Sequence, residues 1–456
     1  MFPLPSVINS GPEQAPTGSA PADERQAHRV TAAAGVSAPA PGGTPGASPA
    51  GDRQLTALSE LAGLVAGGAT RRSQLATATG LSRAAVAQRV DLLIAKGLLV
   101  ETGTVATDRG RPPLTLQLAS QAAVVCAVDL GATHSTVAIA ELGGTVLAEA
   151  TDGLDINDGP EAVLTGLHEQ LGRLLATAGH PAGHVRAISI GVPGPVEAST
   201  GTVVRPPIMR GWDGYRVPGF FAGRYDAPVL VDNDVNMMAL GEYGHRPATA
   251  HLLYVKVGTG IGCGIVSGGV VHRGASGAAG DIGHIPVPGH DHVLCHCGNT
   301  GCVEAVASGA AVAATLRASG IPAEHAADVV RLVAAGDPLA RRQVRLAAQR
   351  IGEVLASLVS FYNPDTIVLG GSIASLHDDL LADIRAAVYR RALPLATRTV
   401  AIETTLLGRR AGIEGARRLA VQHLLSPEGI GRMLAASGAS RGAGDSAAAA
   451  AGASAG

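Results

Sequence analysis

Residues 274–304 read GASGAAGDIGHIPVPGHDHVLCHCGNTGCVE, and this stretch holds three of the chain's five cysteines, Cys295, Cys297 and Cys302, within eight residues. His284 stands eleven residues before the first of them. One imidazole nitrogen and three thiolates complete a tetrahedral set for zinc, and a site with no open position is structural. The glycines between the cysteines allow the tight turns that such a loop requires. A cluster of buried free thiols fits less well, because cysteine is almost absent from the rest of the chain.

Outward from this loop, composition sets the frame. At 456 residues the chain has room for two or three domains. A hydrophobic fraction of 46% with a net charge of −2 fits a globular core, built from Val, Leu, Ile and Ala because aromatics are scarce. No apolar run reaches the length of a membrane span, and the start MFPLPSVINSGPEQ lacks the plan of a secretory signal. A cytoplasmic protein with no membrane partner is expected, and in that reducing compartment clustered cysteines favour metal over disulfides.

Residues 1–51 are rich in Ala, Pro, Gly and Ser without periodicity, and residues 426–456 have the same character. Both are expected to be disordered. Between them, residues 52–119 change pattern to three short helices and a hairpin. Leu55, Leu58, Leu61 and Leu64 or Val65 make one apolar face; Gly80-Leu81 forms a turn; Ser82 caps a helix on which Val86, Val90, Leu93 and Ile94 face inward. This is a winged helix-turn-helix with eight basic residues against five acidic ones. Ser82, Arg83, Gln88 and Arg89 would face a major groove, and Arg71 and Arg72 would hold phosphates. Arg109 and Arg111, in Arg-Gly-Arg-Pro at the wing, have the form of a minor-groove hook.

The cysteine loop resembles the zinc loop of the ROK family, which contains bacterial sugar kinases and sugar-responsive repressors. The family pattern places a carboxylate three residues before the zinc histidine, then Cys-x-Cys-Gly-x-x-Gly-Cys-x-Glu, and the chain matches it through Glu304. The resemblance covers residues 52 to 425. It implies an α/β fold, a two-lobed actin-like ATPase (ribonuclease H-like) body behind the winged-helix domain. The first lobe would be 120–243, completed by 408–425, and the second 244–407 with the zinc loop.

The resemblance also implies roles. Gly194, Asn233, Asp234, Asp281, His284 and Glu304 would lie on the sugar side, His284 binding zinc through one nitrogen while the other faces the ligand. Asp129, Gly131, Thr133, Gly258, Thr259, Gly260, Gly370 and Gly371 would belong to the nucleotide side, and Asp234 would be the general base if the chain were a kinase. Departures from the kinase pattern fall at Ala132, His134 and Ser372 in the phosphate and adenosine loops, at Pro207 in place of Asn after the substrate-side loop, and at Asp281 in place of Glu on the sugar side. The expected function is therefore a sugar-responsive transcriptional repressor. It would bind operator DNA of inverted-repeat form as a homodimer or dimer of dimers, with structural Zn2+ and a sugar or sugar-phosphate effector. The alternative is an ATP- and Mg2+-dependent sugar kinase acting at the 6-position of a hexose or N-acetylhexosamine. Trp212 is expected to be a packed loop anchor.

Overall fold

Leu58, Leu61 and Val65 recur at helical spacing and are buried along α1 (Pro49–Ala66); the computed structural model describes residues 49–103, 114–119 and 123–435. At the start of α2 (Arg72–Thr79), the Gln74 side-chain oxygen accepts from the backbone N–H groups of Thr70 and Arg71. The helix stops at Gly80, whose φ of 70° lies in the left-handed region that glycine enters without steric cost. Ser82 Oγ then accepts from Ala85 N at 3.2 Å and caps α3 (Arg83–Ala95). Val86, Val90 and Leu93 are fully buried on its inner face, each contributing roughly 1.5–3 kcal/mol. The wing follows as β1 (Leu99–Gly103) and β2 (Leu114–Leu118), antiparallel with Leu99 opposite Leu118. The stretch between them, with Arg109 and Arg111, lies outside the described residues.

Two larger sheets repeat one plan. The first contains β3 (Val124–Leu130), β4 (His134–Glu141), β5 (Val146–Gly153), β6 (Val185–Val192) and β9 (Val229–Asn233), with the small hairpin β7 (Val196–Glu197) and β8 (Thr202–Val203) outside it. Its order is β5-β4-β3-β6-β9, antiparallel on the β4 side and parallel on the β6 side. The second contains β10 (His251–Val257), β11 (Ile261–Ser267), β12 (Val270–Val271), β13 (Thr366–Gly370) and β14 (Ala401–Thr404), in the order β12-β11-β10-β13-β14 with the same alternation. Helices α4 (Pro160–Thr177), α5 (Val217–Phe221) and α6 (Asp234–Tyr243) belong to the first half. In the second come α7 (Val303–Ala307), α8 (Gly309–Ala318), α9 (Ala326–Ala334), α10 (Pro338–Tyr362), α11 (His377–Arg391) and α12 (Pro394–Thr397). This duplicated α/β arrangement is the two-lobed actin-like, ribonuclease H-like fold.

The last helix named, α13 (Ala411–Leu424), returns to the first sheet and packs on α6, β3 and β6. The approach to α6 is close enough to require glycine: a Cβ added at Gly415 would fall 1.7 Å from the Met237 carbonyl oxygen. At the far end of α13, Ala420, Val421 and Leu424 share one apolar core with Leu58, Leu61, Val90 and Leu93. Ser59 Oγ donates to the Leu425 carbonyl at 2.6 Å on the same seam.

Two expectations of disorder need correction at their edges. α1 begins at Pro49, inside the 1–51 stretch. Residues 427–435 are helical, inside the 426–456 stretch. Ser426 Oγ accepts from Gly429 N, Ile430 is fully buried, and Met433 and Leu434 pack on the winged-helix core. The burial of these three side chains offsets the poor helix propensity of Gly429 and Gly431. Among the described residues no helix is long and apolar enough to cross a membrane.

Candidate functional site

The cysteine loop is folded by its own backbone. Cys295 N donates to the Asn299 carbonyl at 2.7 Å and Gly298 N to the Cys295 carbonyl at 3.0 Å. Gly298, at φ 91°, makes the reversal that a side chain would resist. The result brings His284, Cys295, Cys297 and Cys302 together, with all four ligand atoms within 4.8 Å of one another. Cys297 Sγ and Cys302 Sγ are 3.7 Å apart, and Cys295 Sγ is 3.7 Å from His284 Nδ1. A tetrahedral ion with metal–sulfur bonds near ~2.3 Å has its sulfurs about 3.8 Å apart. The donor set and its spacing therefore fit a metal ion. His284 turns Nδ1 to the thiols, leaving Nε2 at 3.8 Å from Asp281 Oδ1.

The cleft cluster is assembled from distant elements. Asp234 opens α6 and is 3% exposed; its Oδ1 accepts from Val235 N at 2.9 Å. Asn233 caps the same helix through Oδ1, while its amide donates to the Gly194 carbonyl at 3.1 Å. Beside them the buried Asp232 accepts from Asn233 N, from Asn236 Nδ2 and from Arg273 Nε at 2.7 Å. Arg273 follows β12, so this ion pair ties the end of β9 to the second sheet. Glu304 Oε2 accepts from Ile261 N at 2.9 Å and sits behind the Gly258–Gly260 turn. Asp281 is exposed. The structure thus gathers Gly194, Asn233 and Asp234 tightly, and holds Glu304 against the second glycine turn.

The residue missed by sequence reasoning is Lys256. On β10, Leu253, Val255 and Val257 enter the second-lobe core, so the alternation turns Tyr254 and Lys256 to the opposite face, toward α6. Its neighbours in register are Gly262 and Gly370. Lys256 Nζ reaches Asp234 Oδ2 at 2.5 Å and is about a quarter exposed, at 26%. Burial works most strongly against the ammonium charge, but Asp234, with Asp129 and Glu304, together outweigh it and hold Lys256 above its ordinary range. Asp129, at the end of β3, is 5% exposed. Burial pushes its carboxyl up to about 7, with the Asp234 charge adding to the shift and Lys256 opposing it. Strand periodicity carried a signal for this pair, since it placed a lone lysine on the face that packs on α6.

The first glycine turn is filled from within. A Cβ at Gly131 would lie 2.3 Å from His134 Cε1, so the open face of that glycine is covered by the imidazole. Gly131 N donates to the His134 carbonyl at 2.8 Å, and Thr133 is exposed at the turn. Burial, then Lys256 and Arg409, lower the His134 pKa, with Asp234 opposing them. The second turn rests on α8: Gly309 N donates to the Gly258 carbonyl at 2.8 Å and Ala310 N to the Thr259 carbonyl at 3.3 Å. A Cβ at Gly260 would meet Glu304 Oε2. Gly370 and Gly371 cross β10 where Cβ atoms would strike the Tyr254 hydroxyl and the Val257 carbonyl. Trp212 is an anchor, fully buried with Nε1 donating to the Ile156 carbonyl at 3.0 Å.

On the winged helix, Arg71, Ser82, Arg83 and Gln88 are exposed, and Arg89 is half-buried with Nη1 donating to the Ala85 carbonyl at 3.0 Å. Arg72 differs from expectation. Its Nε donates to Glu101 at 2.9 Å and its Nη2 to Asp91 at 2.7 Å, which ties α2 to both α3 and the wing. The partly exposed guanidinium is held by two carboxylates of its own domain.

Comparison with known proteins agrees with this geometry. Xylose repressor of Caldicellulosiruptor bescii is 27% identical over 370 residues, covering 78% of this chain and 92% of that protein. A crystal structure of a ROK family transcriptional regulator, described as a homolog of the E.coli MLC protein, matches with a TM-score of 0.72 and 26% identity over 84% of this chain and 99% of that one. The ROK family glucokinase from Streptomyces griseus, solved with glucose and AMPPNP, matches with a TM-score of 0.56 and 29% identity over 66% of this chain and 99% of its own. The glucokinase thus corresponds to a smaller share of the chain than the regulator does. With the ROK family model itself matching residues 125–423, across both lobes and the metal loop, the chain belongs to the ROK family.

Proposed function

We propose that this protein is a sugar-responsive, DNA-binding transcriptional repressor of carbohydrate-metabolism genes, in which residues 52–119 bind the operator and the two lobes hold the effector. The observation that carries this reading is α13. A Cβ at Gly412, in its first turn, would touch the Asp129 carboxylate in the cleft, whereas its last turn lies in the apolar core of the winged helix. A sugar that favours one arrangement of the cleft therefore acts on one end of a rod whose other end holds the DNA-binding helices.

In this reading Asn233, Asp234, Glu304, Gly194, Asp281 and the Nε2 side of His284 meet sugar hydroxyls, and a zinc ion on Nδ1 and the three thiolates fixes the imidazole. Arg83, Gln88 and Ser82 face base edges, Arg71 and Arg89 the backbone, and Arg109 and Arg111 the minor groove. Arg72 is assigned instead to bracing the domain. Two copies on an inverted repeat make the binding unit, in the cytoplasm. The names of similar repressors make xylose the first sugar to test and the glucokinases make glucose the second. A gel shift on the operator, titrated with each sugar, is expected to move affinity by about 5–150-fold. Unchanged affinity across a broad sugar panel would count against the reading.

Sugar phosphorylation has one observation in its favour: Asp234 stands at the start of α6 inside a cleft like that of a glucokinase solved with glucose and AMPPNP. ATP and Mg2+ do not fit the residues present. His134 covers Gly131, and Lys256 is already bound to Asp234. Hexose phosphorylation that disappears in Asp234→Asn would restore the kinase reading.

A further inference from the structure

Where the two sides of the cleft meet lie two buried carboxylates, Asp129 from the nucleotide side and Asp234 from the sugar side, and the charge of Asp234 acts on Asp129. Such a pair cannot remain ionised without a cation, which in a phosphotransferase is a metal carried with the nucleotide. Here a cation is supplied by the chain. Lys256 Nζ is 2.5 Å from Asp234 Oδ2, and the charges of Asp129 and Glu304 also act on it. Gly262 and Gly370 are its partners in the sheet, and Tyr254 and Val235 cover those glycines on the face toward α6.

We infer that Lys256 is the resident cation of this cleft, taking the place of a divalent ion, closing the site to metal–nucleotide and leaving it to an uncharged polyhydroxylic ligand. Two consequences follow from the charge balance. Asp234 accepts from the ammonium and so keeps the position of a hydrogen-bond acceptor for a sugar hydroxyl, while the ion pair opposes its taking up the hydroxyl proton. A phosphorylated ligand would bring its charge against Asp234 and Glu304, with Asp129 beside them and one ammonium among the three. The inference deepens the sensing reading and rests on it for the ligand, but its central measurement does not involve DNA.

Mn2+ alone is titrated into the full-length, metal-loop-loaded protein and followed by electron paramagnetic resonance, in the parent, Lys256→Met and Lys256→Arg. A neighbouring cation shifts a carboxylate's affinity for a proton by about 1–3 logarithmic units, and a divalent cation meets the same repulsion, so Lys256→Met should bind one Mn2+ at least ~10-fold more tightly than the parent, and Lys256→Arg should behave as the parent does. Equal Mn2+ affinity in the parent and a folded Lys256→Met, checked by circular dichroism, overturns the assignment. If Lys256→Met does not fold, the parent decides alone: tight binding of Mn2+ with AMPPNP overturns the inference, and no binding supports it. Calorimetry of the parent with xylose and glucose against their phosphates should favour the uncharged sugars, and a preference for the phosphates would overturn the ligand class. Operator binding that ignores every sugar while the Mn2+ contrast persists would remove the regulator reading and leave Lys256 as the resident cation.

Discussion

The candidate metal loop takes its four donor residues from 284–302, nineteen residues of one chain segment, whereas the cleft cluster takes Asp129, Asp234 and Lys256 from β3, α6 and β10, two strands of different sheets and a helix. In the loop, cysteine spacing and glycine turns within one segment set the geometry. In the cleft, no spacing relates the three residues, and their meeting depends on how α6 packs against β10 and α13 against α6. Local chemistry is therefore written in the sequence, while charge balance in a cleft is written in the fold. The two regions should accordingly fail in different ways.

The largest effect is expected at the loop. Cys302→Ser removes a buried thiolate from a closed set, and structural zinc sites contribute about 10–16 kcal/mol in isolated fingers. Metal analysis should show the loss of one equivalent per chain, with the melting temperature falling by roughly 10 °C if about 3–5 kcal/mol is lost in this larger protein. Zinc-free parent protein with an unchanged melt would break the comparison at its stronger end. The next effect tests assembly. Gly415→Ala improves helix propensity on α13, yet its methyl would fall 1.7 Å from the Met237 carbonyl, so denaturant unfolding should show a loss of about 1–3 kcal/mol. A gain in stability would mean that α13 and α6 are not held at this distance.

A smaller effect concerns the cleft's charge. The Asp129 carboxyl is pushed up to about 7 in the folded chain, above the unfolded value of ~3.9. Because the folded state binds the proton more strongly, this group favours folding below the unfolded value, and that contribution is lost as pH rises through 7. Asp129→Asn has no such titration, so its stability relative to the parent should rise between pH 4 and pH 7 and level off above. Discounted for relaxation and for the opposing Lys256, the change should be about 1–2 kcal/mol in urea melts at pH 5 and pH 8. A parent that gains stability relative to Asp129→Asn over that range would show that Lys256 holds Asp129 ionised.

The same division explains what was legible from the residues. The winged helix announced itself through Ser82, Gly80 and the Val86-Val90-Leu93 stripe, all local signals, and the metal loop through its cysteines. Lys256 stayed hidden because LLYVKV reads as a buried strand, and only the identity of its packing partner gives the lysine a role. The 427–435 helix was hidden in another way. Its Gly429 and Gly431 read as breakers, and its stability comes from Ile430, Met433 and Leu434 meeting a core that begins at Leu58. The capping serine before Pro427 was the available signal.

Arg72 sharpens the contrast within a single motif, where neighbouring arginines of one turn look equivalent in sequence. Arg71 is exposed, whereas Arg72 is divided between Asp91 and Glu101. Arg71→Ala should weaken operator binding evenly across sequences and lower the salt slope by about 1, with little change in the melt. Arg72→Ala releases a half-exposed guanidinium from two partners, so it should cost about 0.5–1 kcal/mol of winged-helix stability, because solvent screens both pairs. Its salt slope should remain that of the parent. Equal salt slopes for Arg71→Ala and the parent, with the lower slope appearing in Arg72→Ala, would mean that Arg72 leaves its carboxylates to take the phosphate. The brace would then be a feature of the DNA-free state alone.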